Sequence, residues 1–530
     1  LVFGICFLPT ASFGDDYYVA RNGRDNSTCS IDAPCATFAH AADLLQPGDT
    51  LFVRGGTYRE VLEPPSSGTG HDRMITYTSY PGEVVEISNV TDPIRISNES
   101  WIRINGFRFV DIDDFGYISN GHHNEIANST FGPMRNYVAF TGFSLSNGAS
   151  YNWVHHCTFS IYGYYSSTSD FGDMFTITSD TGASRYNLVE NNTMFYSGHE
   201  VIRITSSYNV VRNNYFHNEG RDFASGDSNR SLAGSSSYGN RNMEIVDHRP
   251  SASGGEFNLI EGNRFGATGD PPDSDHSPGI QLASPNNIVR YNVFYDSYGP
   301  GLKFSTWNSE DTNASGNRVY NNTFYRNGFT EASGYFNCAV CFMEVGDAIL
   351  GNVVKNNIFW QNNADGVRYV STQRPIGELQ ADNTVVSNLR GDPSFRDAGP
   401  LIDPFDPSFP DFRLRPGSIA IDAGAALTVT TTSGRNSTSL DVEDANYFSD
   451  GFSGVVHPDW IVVGRVEPVR IEAVSRSTNR ITLSEPRTWN AVDPVYLYRR
   501  STGEIVYFGG GPDFGAHEFD PGDPGDPPER

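Results

Sequence analysis

Between Asn124 and Val370 short apolar and polar stretches alternate in one recurring phrase: Asn, any residue, Ile or Val, any two, Asn, any residue, Phe. It reads Asn209-Val-Val-Arg-Asn-Asn214-Tyr-Phe216 and Asn258-Leu-Ile-Glu-Gly-Asn263-Arg-Phe265, and returns at Asn287 to Phe294, Asn317 to Phe324 and Asn352 to Phe359. Asn187 to Phe195 is a looser copy whose Phe falls one place late. Asn124 to Phe131 and Asn152 to Phe159 keep the first Asn and the Phe but put Ser129 and Cys157 in the second Asn column. Alternating Val/Ile and Phe predict a short strand with one face inward. A phrase that returns at such intervals predicts a stacked array in which each coil touches only its neighbours. The second-column residues Asn192, Asn214, Asn263, Asn292, Asn322 and Asn357 suit a turn, because Asn tolerates a left-handed backbone and bonds to nearby peptide groups. Piled coil on coil, they predict a side-chain ladder.

The patterning on either side is different. Asp16 to Ala20 reads as a strand, Ala36 to Leu45 as a short amphipathic helix, and Pro47 to Val53 as a turn and strand; further coils follow at Met74 to Ile87 and Trp101 to Val110. The stretch from Tyr17 to Glu60, YYVARNG…APCATFAHAADLLQPGDTLFVRGGTYRE, resembles the entry cap of secreted right-handed parallel β-helix proteins of the pectate-lyase-like superfamily. The coil from Asn152 to Ser160 resembles the WIDHCSF coil of pectate lyases and chondroitinase B, with a histidine where that pattern has its Asp, so a metal ligand is not carried over. The clustered aspartates and Gly-His-Gly of polygalacturonases are not matched. The resemblance covers roughly residues 15 to 425 and implies an all-β, right-handed parallel β-helix (solenoid) with an N-terminal helical cap. Ser418 to Gly424 and Pro512 to Glu518 are similar to the closing phrases of such proteins. Between them, Asp459 to Val463, Val469 to Val474, Asn479 to Leu483 and Pro494 to Tyr498 predict four short strands of a small inserted C-terminal β-module. The expected organisation is residues 1–14 as the remnant of a signal peptide, 15–100 as cap and first coils, 101–425 as β-helix, 426–507 as the inserted β-barrel or sandwich, 508–519 as the closing strand, and 520–530 as a Pro/Gly/Asp linker tail.

Composition changes this picture in three ways. The 530-residue chain is long for one ordinary core, which stacking permits. Its net charge of −26 makes nucleic acid an unsuitable partner. Lys303 and Lys355 are its only lysines; an acidic, Lys-poor surface fits a marine or saline origin, and a GC-rich genome would also favour Arg over Lys. The apolar run from Leu1 to Pro9 is too short to cross a bilayer and no later segment is apolar enough, so a secreted monomer is expected. Cys29 and Cys35 bracket a short loop and can pair in an oxidising compartment. Cys338 and Cys341 form a CxxC with no second pair to complete a zinc site.

Side-chain alternation after each Asn phrase predicts an outward row of Arg203, Glu244, Gln281, Lys303, Glu344 and Arg368, about 4.8 Å apart per coil. A sugar unit in an extended polysaccharide has a similar repeat, so the row reads as a groove floor, with Gln281, Glu344 and Arg368 as substrate-binding groups. A long polar insertion, Glu219 to Gly239, lies beside it, near His199, Glu200, Asp247, His248 and Arg249. The resemblance and this row together point to a polysaccharide lyase acting on an acidic, uronate-containing polymer by β-elimination. That chemistry needs a positive group on the carboxylate, a base for the adjacent proton and a donor for the leaving oxygen. Lys303 is the first choice of base, with His199 and His248 as rivals. Arg203 and Arg249 are candidates to hold the carboxylate, and Glu200, Glu244 and Asp247 to hold calcium. Two further readings stay open: a glycoside hydrolase using Glu200 with Glu244 or Asp247, or Asp170 with Asp173, and a non-catalytic polysaccharide-binding or adhesion protein.

Overall fold

Each copy of the phrase supplies two strands and the corner between them. Val210–Arg212 runs into a turn and then Tyr215–Asn218, and the coil is completed by a third strand, Arg241–Val246. Strands of successive coils pair in parallel, giving sheets of thirteen, eleven and ten strands, and the chain winds as a right-handed parallel β-helix. The computed structural model describes residues 14–522 apart from 135–140, 163–171, 179–182, 219–240, 247–253, 269–276, 308–311, 330–336, 365, 401, 402, 404 and 407. None of its described helices is long and apolar enough to cross a membrane.

The Phe of the phrase points inward and stacks on its counterpart in the next coil. Phe216, Phe265, Phe294, Phe324 and Phe359 follow one another at centroid distances of 5.2, 4.8, 4.7 and 5.2 Å. Offset ring pairs of this kind contribute about 0.5–1.5 kcal/mol each beyond their burial. The looser copy shows how the column tolerates a substitution. Met194 pairs with Phe159 on one side and Phe216 on the other, filling the inward place, while Phe195 turns out against His217 and Phe405.

Both Asn columns form ladders, where only the second is expected. In the first, the backbone N–H of Asn124, Asn152, Asn187, Asn209, Asn258, Asn287, Asn317 and Asn352 donates to the side-chain Oδ1 of the next Asn in the series, ending at Asn383, at 2.8–3.1 Å. In the second, Asn192, Asn214, Asn263, Asn292, Asn322 and Asn357 do the same at 2.9–3.0 Å, ending at Asn388. The left-handed residue at this corner is the one before the ladder Asn: Asn191, Asn213, Gly262, Tyr291, Asn321 and Asn356 all have positive φ. The ladder Asn is therefore selected for its amide, and its predecessor absorbs the turn.

At the N-terminal end the expected helix is shorter than its amphipathic pattern, Phe38–Ala42, and is capped by the Thr37 hydroxyl, which accepts from His40 N–H. Cys29 pairs with Cys35, and Cys338 with Cys341; Cys157 is free and buried. Towards the C-terminus the inserted module is a six-stranded antiparallel sheet, two strands more than expected. One of the additions, Gly434–Asp441, is polar apart from Gly434 and Leu440 and has half of its residues exposed, which hid it from a hydrophobicity pattern. The module packs on the outer face of the thirteen-stranded sheet, where Val210, Leu259, Ile288 and Tyr291 of the β-helix share a core with Leu440, Phe448, Ile461 and Val495. At its centre Arg290, fully buried, donates to Glu261 at 2.6 Å and bidentately to Asp459 of the module at 2.8 Å.

Candidate active site

The ten-stranded sheet carries the outward column foreseen from alternation. Its register aligns Tyr117, Ser144, Thr176, Arg203, Glu244, Gln281, Lys303, Cys341 and Arg368, one per coil. The residues on either side of the column, such as Ile202 and Ile204, Met243 and Ile245, or Leu302 and Phe304, lie in the β-helix core. Five of the six expected members are in place. Glu344 is the correction. Val340 and Phe342 are the inward residues of the strand Val340–Glu344, so Glu344 pairs with Thr306 and the place beside Lys303 belongs to Cys341. The Glu344 carboxylate is buried and held by Arg374 at 2.8 and 2.9 Å, by Ser371 at 3.0 Å and by Ile349 N–H at 2.8 Å. Asp170, Asp247, His248, Arg249 and the Glu219 to Gly239 insertion lie outside the described residues.

Around the column sits a dense ion network. His199 and Glu200 open the strand Glu200–Ile204, Asp173 opens the strand of the preceding coil, and Arg241 stands opposite Glu200 in the following one. His199 Nδ1 lies 2.9 Å from Asp173 Oδ1 and also contacts Glu200. Arg203 donates to Asp173 Oδ2 at 3.1 Å and lies 3.5 Å from Glu244. Arg241 donates to Glu200 and, at 3.0 Å, to Glu244 Oε1, which also accepts from Gln281 at 2.6 Å. Arg241 and the part played by Asp173 were not read from the sequence as carboxylate partners. The signal was there for Arg241: it precedes core Met243 by two places, as Glu200 precedes core Ile202.

Burial and charge set the protonation states. Burial pushes the Lys303 amine down to about 7, assisted by the Arg241 guanidinium and opposed by Glu244. Burial alone would also lower His199, but the Glu200 carboxylate and the hydrogen bonds to Asp173 and Glu200 raise it to about 9, so the imidazolium is its form at neutral pH. Burial would raise Asp173; hydrogen bonds with Glu200 and His199 and the charge of Arg203 overcome this and hold it below the ordinary carboxylate range. Hydrogen bonding is left incomplete in the column, as it is at Tyr77 and Asn242 outside it. Thr176 Oγ1, Arg203 Nε and Gln281 Oε1 are buried atoms with no hydrogen-bond partner among the described residues.

Asp173, His199 and Glu200 bring their ligand atoms within 4.8 Å of one another. By themselves they fall short of the about six to eight oxygens that a calcium ion takes, and Asp247, another of the expected ligands, lies outside the described residues. One of the three offers a ring nitrogen, and Arg241 occupies the space between Glu200 and Glu244, two of the expected ligands. Asp173, Glu200 and Glu244 are already matched by His199, Arg203 and Arg241.

Over the N-terminal coils the column opens into a cleft of about 550 Å³ lined by Tyr117, Ser119, Ser144, Ser146, Thr176 and Thr178 among others. Its inner end adjoins Arg203, whose side chain is 23% exposed, whereas Glu244, Gln281 and Lys303 are each 3% exposed or less.

Residues 17–187 match the family described as "Pel9A-like, right handed beta helix region", and residues 180–325 match "Right handed beta helix region". Among curated proteins the chain is similar to the uncharacterized protein YwoF of Bacillus subtilis (36% identity over 19% of this chain and 23% of that protein). It is also similar to pectate lyase L of Dickeya dadantii (27% identity over 26% of this chain and 35% of that one). These alignments thus span about a quarter to a third of the relatives' length. Among solved structures it is similar to pectate lyase Pel9A (17% identity, 78% of this chain and 92% of that one, TM-score 0.49). A family 6 polysaccharide lyase from Pseudopedobacter saltans is also similar (17% identity, 65% and 89%, TM-score 0.43). With its coil repeat, its three parallel sheets and these family matches, the chain is a right-handed parallel β-helix protein, similar over residues 17–187 to the Pel9A-like family.

Proposed function

We propose that the protein is a polysaccharide lyase that cleaves a uronate-containing polysaccharide by β-elimination, with Lys303 as the base. The observation that carries this reading is a buried lysine with its amine lowered to about 7, in register with a partly exposed arginine. Arg203 receives the uronate carboxylate through the partly exposed part of its guanidinium. Neutralising that charge acidifies the adjacent C–H and stabilises the carbanion that forms on its loss. Neutral Lys303 takes the proton; the C–H electron pair becomes the new C=C bond and the C–O bond to the leaving sugar breaks. The ammonium so formed is the acid that returns a proton to the departing oxygen. His199 is set aside as the base, because two carboxylates keep it cationic at neutral pH. The described carboxylates of the cluster are paired with cations, which argues against a hydrolase that needs one free protonated acid. The positive charge the reaction requires is supplied by guanidinium groups and no step uses a metal. The test is incubation with a panel of acidic glycans. Products with the ultraviolet absorbance of an unsaturated uronate, lost in Lys303→Ala, are expected. New reducing ends without that absorbance would overturn the reading in favour of hydrolysis.

A further inference from the structure

The column changes character at Arg203. On one side lie Glu244, Gln281 and Lys303; on the other, three successive coils present Thr176, Ser144 and Tyr117. A second outward column beside them contributes Ser146, Ser119 and Ser97. These side chains line the 550 Å³ cleft, which falls in the size range of sites that hold small ligands. Among the described residues its lining contains no Lys, Arg or His, and its acidic member is Asp92. The next cation along the column, Arg95, stands beyond Tyr117 and is tied to the Thr91 carbonyl at 2.9 Å and to Glu63 at 4.0 Å.

A row of hydroxyls alone would be an ordinary solvated sheet face. Thr176 makes the difference. It is 3% exposed, lines the cleft, sits between inward Phe175 and Ile177, and its Oγ1 has no hydrogen-bond partner among the described residues. A buried hydroxyl left unbonded is destabilising, and a ligand hydroxyl placed against it would relieve this. A uronate carboxylate in the same place would leave water to face hydroxyls and an aspartate, with no cation to replace its hydration.

We propose that this cleft is a subsite for neutral sugars, next to the uronate held at Arg203. The substrate is then a mixed polysaccharide in which uronates are interspersed with uncharged units, and a homopolymer of uronates is a poor one. This deepens the elimination reading and rests on it for the position of the uronate. The net charge of −26 works in the same direction, since a polymer with fewer carboxylates is repelled less.

The test measures binding and cleavage separately. Dissociation constants are taken by calorimetry on the full chain for oligosaccharides of equal length. One set is homopolyuronates (galacturonate, mannuronate, guluronate); the other alternates uronate with a neutral sugar (galacturonate–rhamnose, glucuronate–N-acetylgalactosamine). At least one alternating oligosaccharide is expected to bind about tenfold or more tighter than any homopolyuronate. Ser144→Arg, at a half-exposed position, should reduce that ratio about tenfold by favouring the homopolymer. Thr176→Val, which keeps the shape and removes the hydroxyl, should weaken the alternating ligand several-fold and leave the homopolymer unaffected. Equal or tighter binding of a homopolyuronate, or no binding of any alternating ligand, overturns the subsite. Selective binding with no unsaturated product from any polymer overturns the lyase reading while the neutral subsite stands.

Discussion

Two kinds of polar column run along the same solenoid, each advancing one coil per step, and they are built on opposite principles. In the Asn ladders the same residue returns in coil after coil, carries no charge, and satisfies itself. The amide of Asn292 donates to Ile260, Arg290 and Asn322 while its oxygen accepts from Asn263. In the column of the ten-stranded sheet the residue type changes at every coil. Thr176, Arg203 and Gln281 there keep buried polar atoms unbonded. Buried polar groups in folded proteins are nearly always satisfied, so a column that is both heterogeneous and incomplete among the described residues is where the proposed substrate is expected to bind. Uniform and saturated polarity marks architecture here, and varied, unsaturated polarity marks the place for a ligand.

The comparison can be broken most decisively at Lys303. Replacement by Ala should lower kcat by about 10²–10⁴-fold, the range of a general base, with the melting temperature essentially unchanged; full turnover in that variant would remove Lys303 from the reaction. In the ladder the outcome should reverse. Asn292→Ala leaves the partners of one amide unsatisfied, each costing about 1–3 kcal/mol. The melting temperature should fall by many degrees while the folded fraction keeps its specific activity. A ladder variant that unfolds no sooner than the wild type would reduce the ladders to decoration.

Acidity sharpens the contrast further. In the proposed reaction Lys303 acts as the neutral amine, so kcat/KM should rise with pH through about 7. At pH 5 it should stand about a hundredfold below its plateau. His199 is raised to about 9, above its ordinary value; the stabilisation from its charge is fully present below about 6.5 and is lost as pH rises through 9. Activity should fall on that limb together with stability. A flat profile from pH 5 to 8 would exclude the lysine as base. The smallest effect is expected from chelation: with Arg241 between Glu200 and Glu244, excess EDTA should change kcat/KM by less than about twofold. Its loss on chelation and return with calcium would show that the cluster rearranges to take a metal.

Much of this was legible in the chain. The Asn and Phe repeat carried the solenoid because both residues do one job in each coil, and repetition is visible without coordinates. The column was legible to the extent that its neighbours are plainly apolar. Ile202, Ile204, Met243, Ile245, Leu302 and Phe304 fix the inward parity of their strands and so turn Arg203, Glu244 and Lys303 outward. Around Glu344 the same rule misled, since Val340-Cys-Phe-Met-Glu344 is apolar on both faces and gives no parity. Arg241 stayed hidden for a different reason: it acts on Glu200 across a coil boundary, and the long Glu219 to Gly239 insertion separates the two in sequence. The depression of the Lys303 amine has no sequence signal at all, because it depends on burial.

The guanidinium of Arg290, sealed between Glu261 of the solenoid and Asp459 of the antiparallel module, ties two regions that a domain parser would separate. A truncation after residue 425 would strand a desolvated cation beside a single acid, a loss of about 3–5 kcal/mol, and uncover Val210, Leu259 and Ile288. Shuffling this scaffold onto new appendages therefore has to carry the module along as an organ of the solenoid.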